Sequence, residues 1–414
     1  MPQDRPTILQ IVPQLDAGGA ELSAVEIAEA VVRAGGRALV LSEPGGRLAP
    51  RVTAAGGEVI AFPAAAKNPL ELLANARAIV RKVAAEGVDL VHARSRAPAW
   101  SAMWAARRAE IPFVTTYHGA YNETNVLKKF YNSVMARGDV VIANSRYTAD
   151  LIASRYGTPR ERMGVIHRGV DAGAFDPQAV APDRFAELRH RWGLAPEQRV
   201  ILQAARLTRW KGQGVLIDAL ARLQQRGGLQ GAVAILAGDA QGRDGYVKEL
   251  QAQIERLGLT EHVRLVGHVE DIAAAYAASH VTVVASIEPE AFGRTAIEAA
   301  ALACPVIATN IGAPPETVMA QPTVVQQEIT GWLVPANDPG ALARALAAAL
   351  ALEPAERSAM GSGARRHVLA NFTTEAMQRR TLAVYDRLLG TALADGFNAV
   401  VPGNVPSREN ARQP

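Results

Sequence analysis

The 414-residue chain has one cysteine, Cys304, so no intrachain disulfide can form and no thiolate cluster can hold a metal. Aromatics are only 5% of residues, and no run of about 18 uninterrupted apolar residues occurs, so no membrane-spanning helix is expected. The opening residues Met1-Pro2-Gln3-Asp4-Arg5-Pro6 lack the basic and apolar stretches of a secretory signal, which gives the expectation of a cytoplasmic protein. Lysine is scarce. Only Lys67, Lys82, Lys128, Lys129, Lys211 and Lys248 stand among 44 basic residues, so each carries some information.

Several motifs are missing too. There is no Asp-x-Asp, the usual carboxylate clamp for a metal-bound nucleotide diphosphate. There is no Gly-x-x-x-x-Gly-Lys-Ser/Thr loop and no Gly-x-Ser-x-Gly elbow. His and acidic residues show no zinc spacing. These absences exclude a P-loop enzyme, a serine hydrolase of the elbow type and a zinc hydrolase, and lead to the expectation that no metal is used.

What is present is a globular composition, 49% hydrophobic and 20% charged, long enough for two or three domains. The net charge of +4 is unevenly placed: residues 1–175 hold 21 basic against 16 acidic side chains, and the remainder 23 against 24. Short β-rich runs at 7–12, 38–41, 59–62, 89–92, 113–116, 140–143 and 164–166 alternate with helical patterns at 21–34, 69–86, 97–108 and 147–156. A second series of runs begins at 199–202 and continues at 233–237, 263–266, 281–285, 305–308 and 331–334. Such alternation predicts parallel sheets with right-handed crossovers, hence an α/β chain of two tandem Rossmann-like, doubly wound domains facing a central cleft. The expected layout is a first domain over 1–175 and a polar linker over 176–198. A second domain follows over 199–374, then a helix over 375–394 returning to the first domain, and a disordered tail over 395–414.

Four stretches at strand ends carry chemistry. Ser286-Ile287-Glu288-Pro289-Glu290-Ala291-Phe292-Gly293-Arg294-Thr295-Ala296-Ile297-Glu298 turns from a strand into an alanine-rich helix. Its turn offers free backbone N–H groups to an anion or hydroxyl, and Glu290 and Glu298 offer carboxylates to diols. Read by spacing alone, the two glutamates equally suit a helix start and a solvated face. Arg206 and Lys211 share a loop after the run at 199–202, where a phosphate would lie, although a solvated basic loop has the same look. His118 follows a strand in Thr115-Thr116-Tyr117-His118-Gly119, and Gly18-Gly19 forms the turn after the first strand, where a substrate could approach backbone.

Taken together, in order and at these separations, these motifs resemble glycosyltransferase family 4, the retaining, GT-B-fold, nucleotide-sugar-dependent enzymes. The likeness spans roughly residues 7–390. It also includes Asn144-Ser145, His167-Arg168-Gly169-Val170-Asp171 (where Pro-Asn-Gly-Val-Asp is usual), Ala237-Gly238-Asp239 and Gly267-His268-Val269. The resemblance implies that Arg206 and Lys211 bind the donor diphosphate. It implies a donor-sugar clamp of Glu290 with Ala291, Phe292, Gly293 and Arg294, and a ribose contact by Glu298. His118 would stand near the reacting centre, Gly18 and Gly19 beside the diphosphate, and Val269 against the nucleobase. Two departures are Ala291, where glycine is usual, and Ala303-Cys304, where Cys-Gly or Leu-Gly is common. The implied donor is a UDP-sugar or GDP-sugar, with neither cofactor nor metal.

The acceptor is read from charge. Arg94-Ser95-Arg96, Trp100, Trp104 and Arg107-Arg108 form one basic-aromatic segment; Lys128-Lys129-Phe130-Tyr131 and Arg137 form another. Such segments suit contact with anionic lipid, while Trp100 and Trp104 equally suit a helix core with arginines snorkelling around it. The expectation is a glycan or lipid-linked acceptor, as in lipopolysaccharide or cell-surface polysaccharide synthesis, at the inner face of the cytoplasmic membrane, with no nucleic-acid partner. A nucleotide-sugar epimerase and a non-catalytic nucleotide-sugar binding module of the same fold are the alternatives.

Overall fold

The computed structural model describes residues 5–399 except 17, 122, 230, 326 and 327. The chain forms two compact units. Of the described residues, the first comprises those up to Asn144, Thr148–Ile166, and those from Glu375 onward; the second comprises Ser145–Tyr147 and His167–Thr374.

The first unit holds a seven-stranded sheet of β1 (Thr7–Ile11), β2 (Arg37–Ser42), β3 (Glu58–Ala61), β4 (Leu90–Ala93), β5 (Phe113–Tyr117), β6 (Val140–Ala143) and β7 (Met163–Val165). Their order is β3-β2-β1-β4-β5-β6-β7, all parallel. Both faces are covered, so the strands read as continuous apolar runs rather than alternating ones. Ile8 and Val12 face a core shared with helix Gly19–Arg33 and with Leu382, Tyr385 and Phe397 of the C-terminal segment. Leu9 and Ile11 face the opposite core, beside helices Pro69–Glu86, Arg96–Ala109 and Arg146–Tyr156.

The second unit holds six parallel strands: β8 (Arg199–Ala204), β9 (Ala232–Ala237), β10 (Val263–Gly267), β11 (Val281–Val284), β12 (Val306–Thr309) and β13 (Gly331–Val334). The order is β10-β9-β8-β11-β12-β13. In each sheet the winding direction reverses once, between β1 and β4 and between β8 and β11. Loops leaving the carboxyl ends of those strands diverge, which leaves a crevice where ligands bind in open α/β sheets.

Three expectations need correction. The first domain does not run to 175: the second unit takes the chain from His167, because Val170 hydrogen-bonds through its backbone to Phe372 and Thr374. The 176–198 segment is not a polar linker between the units but part of the second: it carries helix Pro182–Arg191, and Val180, Leu188 and Trp192 are buried in that unit's core. The tail does not begin at 395. Helix Thr374–Leu389 ends at Gly390, whose φ of 69° is left-handed, and a further helix, Leu393–Ala399, buries Leu393 and Phe397 in the first unit. Residues 400–414 lie outside the described residues. Among the described residues, no helix is long and apolar enough to cross a membrane.

Candidate active site

In the second unit, the loop after β8 and the loop after β11 meet at the reversal point. Gln203, buried on β8, donates Nε2 to the carbonyl of Lys211 at 2.7 Å, and the amide of Ile287 donates to the carbonyl of Trp210 at 2.8 Å. Gly212 has φ +71°, and a Cβ there would lie 1.9 Å from the carbonyl oxygen of Ala285. Only glycine permits this approach. The consequence is that Lys211 reaches Glu290: its Nζ forms an ion pair with Oε1 and lies 4.2 Å from the ring centre of Trp210.

Glu290 is held on every side. Ser286 Oγ donates to the same Oε1 at 2.6 Å, and the Glu290 carbonyl accepts from the Ala313 amide at 2.9 Å. Its backbone forms an isolated bridge with Gly312, where φ is +77° and a Cβ would stand 2.3 Å from the Glu290 oxygen. Thr309 Oγ1 donates to the Ser286 carbonyl at 2.8 Å, tying the loop to the end of β12.

After Glu290 the chain buries Phe292 in a small cluster with Val170, Ile297, Val368 and Phe372. Gly293, with φ +82°, caps helix Arg294–Ala301. Glu298, one turn into that helix, is 3.5 Å from Arg294 Nε and accepts from the Tyr276 hydroxyl at 3.2 Å. Burial, reinforced by the Glu298 charge, holds the Tyr276 phenol well above its ordinary range, so it stays a donor. Thr295 Oγ1 donates to the carbonyl of Ala204 at 3.2 Å, fixing the helix start against the end of β8.

The structure thus gathers Lys211, Glu290, Ala291, Phe292, Gly293, Arg294 and Glu298 around one sheet reversal. Arg206 lies on the same loop as Lys211 and is exposed, with its carbonyl taken by Gln213 Nε2 at 3.0 Å. Val269, half-buried, follows β10 and packs on the core that holds Leu202 and Ala237. In the first unit, Gly18 caps helix Gly19–Arg33 next to β1, and half-buried His118 follows β5.

Sequence reading missed Ser286 and Tyr276 as supports of the two glutamates. It also missed a buried polar layer in the first unit. His92 Nδ1 is 2.6 Å from the Tyr385 hydroxyl and its Nε2 is 2.7 Å from Thr116 Oγ1. Arg94 donates Nε and Nη2 to Gln10 Oε1 at 2.9 and 2.6 Å. Burial, then the charges of Arg94 and His118, hold the His92 imidazole well below its usual pKa, which keeps it neutral. The signal was available: Gln10, His92 and Thr116 are polar residues inside otherwise apolar strand runs. The His167-to-Asp171 motif has an architectural role. Val170 exchanges backbone hydrogen bonds with Phe372 and Thr374, at 2.9 and 3.0 Å, and His167 Nε2 is 2.8 Å from Glu316 Oε2.

Among the described residues, no group of three or more His, Cys, Asp or Glu is arranged to hold a metal.

Comparison with known proteins gives the lineage. Residues 17–173 match the model Glycosyltransferase Family 4, and residues 184–367 match Glycosyl transferases group 1. The D-inositol 3-phosphate glycosyltransferase of Jonesia denitrificans is 30% identical, over 90% of this chain and 92% of that protein. The crystal structure of a glycosyltransferase from Rickettsia africae superposes with a TM-score of 0.84 at 33% identity, covering 94% of this chain and all of that one. Anabaena HepE, solved with UDP-glucose, gives a TM-score of 0.78 at 28% identity, covering 92% of this chain and all of HepE. The chain belongs to glycosyltransferase family 4 and is a glycosyltransferase of the GT-B fold.

Proposed function

We propose that the enzyme moves a hexose from a nucleotide diphosphate sugar, a UDP-hexose first, to a glycan or lipid-linked acceptor, with retention and without metal. The observation that carries the reading is the Lys211–Glu290–Ser286 cluster beside the start of helix Arg294–Ala301. A cation and a carboxylate beside the positive end of a helix suit a sugar diphosphate: charge for the phosphates, an acceptor for the hydroxyls. The likeness to HepE supports UDP as the nucleotide, with a GDP-sugar as the other candidate.

In this reading Lys211 and Arg206 offset charge on the departing diphosphate, Glu290 fixes the sugar hydroxyls, and Glu298 takes the ribose diol. Val269 lies against the base. The anomeric carbon loses its bond to the diphosphate oxygen and gains one to the acceptor oxygen on the same face. The acceptor proton passes to the leaving phosphate, and the nucleoside diphosphate departs. From the first unit, His118 serves the reacting centre and Gly18 and Gly19 the diphosphate. Positioning and preorganised charge supply the catalysis; one such donor is worth about 2.7–4 kcal/mol.

A lipopolysaccharide or surface-polysaccharide precursor is the acceptor class favoured by the basic first half, and a lipid-linked one would bring the enzyme to the inner face of the cytoplasmic membrane. The Jonesia relative, named for D-inositol 3-phosphate, supports a phosphorylated cyclitol as a second acceptor class.

The test has two stages. Thermal shift against UDP-, GDP- and ADP-sugars identifies the donor, since a ligand at 100 times its Kd stabilises by about 2.7 kcal/mol. Release of nucleoside diphosphate that requires acceptor then establishes transfer. A nucleotide sugar isomerised with its diphosphate bond intact would mean an epimerase, and binding without turnover a binding module.

A further inference from the structure

We propose that the first unit carries a dedicated docking face for an anionic lipid bilayer, built from helix Val126–Asn132 and the tryptophan stripe of helix Arg96–Ala109. The short helix hides almost nothing. Val126 is 82% exposed, Leu127 81% and Phe130 57%, and Lys128 and Lys129 between them are exposed as well. Exposed apolar and basic residues interleaved on one helical turn satisfy neither a core nor a purely aqueous surface. A bilayer interface takes both: acyl chains for the apolar groups, lipid phosphates for the ammonium groups.

The patch extends beyond this helix. Phe130 stacks on Trp100 with ring centres 5.1 Å apart, and half-exposed Trp104 lies 5.8 Å from Trp100. Trp100 Nε1 donates to the Tyr131 carbonyl at 3.1 Å, which anchors the short helix to the longer one. Leu70 and Leu73 are also exposed, on helix Pro69–Glu86, which packs against helix Arg96–Ala109. Tryptophan and phenylalanine at such a rim suit the headgroup level.

A basic groove adjoins the patch. Arg137 lies 5.1 Å from the Trp100 ring centre and 5.3 Å from that of Phe130, and with Arg107, Arg162 and Tyr156 it lines a groove of about 350 Å³. Two acidic side chains nearby are engaged: Asp139 pairs with Arg107 at 2.9 Å, and Glu123 takes the Tyr156 hydroxyl. Arg162 is anchored on the Gly138 carbonyl. In the proposal the helix enters the interface while the groove receives a lipid phosphate, Arg137 joining the two. The groove is separate from His118, Gly18 and Gly19, and the proposal does not rest on the donor chemistry assigned above.

The test is co-sedimentation of the full chain with vesicles, without donor or acceptor. Phosphatidylcholine alone is compared with phosphatidylcholine containing phosphatidylglycerol. The native protein is expected to sediment with the anionic vesicles only, and to be released at about 1 M salt, where the Debye length falls from about 8 Å to about 3 Å. Lys128→Glu/Lys129→Glu is expected to weaken binding at least about tenfold. Val126→Ser/Leu127→Ser/Phe130→Ser should do the same, and the lysine pair carries the test if loss of Phe130 stacking impairs folding. Arg226→Glu/Arg256→Glu, exposed on the second unit, should leave binding unchanged. No sedimentation of the native protein, or equal loss in that control, overturns the docking face. Full binding by a folded Arg137→Gln variant removes the groove from it.

Discussion

Lys211 and Glu290, 79 residues apart in sequence, neutralise one another, and Ser286 donates to the same carboxylate oxygen that Lys211 contacts. Both side chains are largely buried, at 16% and 8% exposure, so neither is dispersed in water. The proposed donor therefore enters a site whose cation and anion are already in place. A sugar diphosphate brings phosphates for the lysine and hydroxyls for the glutamate. The two residues can stay close while each exchanges part of its contact for the ligand, which limits reorganisation on binding.

That geometry makes the two alanine variants informative in different ways. Lys211→Ala and Glu290→Ala are each expected to lower transfer by about 10²–10³-fold, the cost of one preorganised electrostatic donor. Each also strands a buried partner, and breaking such a pair destabilises by about 3–5 kcal/mol. Lys211→Met together with Glu290→Gln removes both charges and should recover much of the stability but none of the activity. Initial rates and urea midpoints measured together decide it; near-native turnover in either single variant would remove the assigned site.

Metal dependence follows from the same residues. With Lys211, Arg206 and the start of helix Arg294–Ala301 proposed to offset the diphosphate charge, transfer should continue in excess chelator. The measurement is the rate in EDTA, then with magnesium or manganese restored. Abolition by EDTA and rescue by either ion would contradict the proposed charge balance.

Much of the fold is legible in the sequence. Helix Pro69–Glu86 agrees to the residue, because its ends are written locally. The Asn68 side chain caps the Leu70 amide, Pro69 begins the helix, and Gly87 takes φ +61° after it. Helix Pro182–Arg191 is not legible, since Leu188 is its one buried residue and a single position gives no period. The break at Gly390 was lost inside a longer apolar pattern. The Lys211–Glu290 pair is a tertiary fact: sequence named both residues but assigned them to different parts of a ligand.

Cys304 gives a pH prediction. It is buried, and burial pushes its thiol up to about 11 from an ordinary value near 9. Between those values the unfolded chain releases the proton while the folded chain keeps it, so stability falls as pH rises from about 9 to about 11. The loss attributable to this thiol is about 2 kcal/mol across that window and approaches about 2.7 kcal/mol at higher pH. Buried Tyr276 and Tyr385 shift the same way, so the native protein alone does not isolate Cys304. The stability advantage of the native protein over Cys304→Ala should shrink by about 2 kcal/mol between pH 8 and 10.5 in urea unfolding. An advantage that is constant with pH would mean that the thiol is not desolvated. In the folded protein at pH 8 the thiol should resist aromatic disulfide reagents.

The neighbouring residue tests the departure noted in the sequence. Ala303 has φ +56°, a left-handed conformation that costs an alanine about 1–2 kcal/mol. It ends helix Arg294–Ala301 in a Schellman arrangement: the Cys304 amide donates to the Ala299 carbonyl at 3.0 Å, and the Ala303 amide to Ala300 at 3.0 Å. Glycine is the residue this position prefers. Against it stand the greater freedom of glycine in the unfolded chain and the packing of the Ala303 methyl near Gly361, where a Cβ would come within 3.3 Å of it. The balance predicts that Ala303→Gly stabilises by up to about 1 kcal/mol. Ala303→Val, β-branched in the left-handed region, should destabilise by more than about 2 kcal/mol, because backbone strain and the crowding at Gly361 then act together. Urea midpoints should fall in the order glycine, alanine, valine. A glycine variant less stable than the native protein would mean that packing at Gly361, rather than the backbone, governs this helix end.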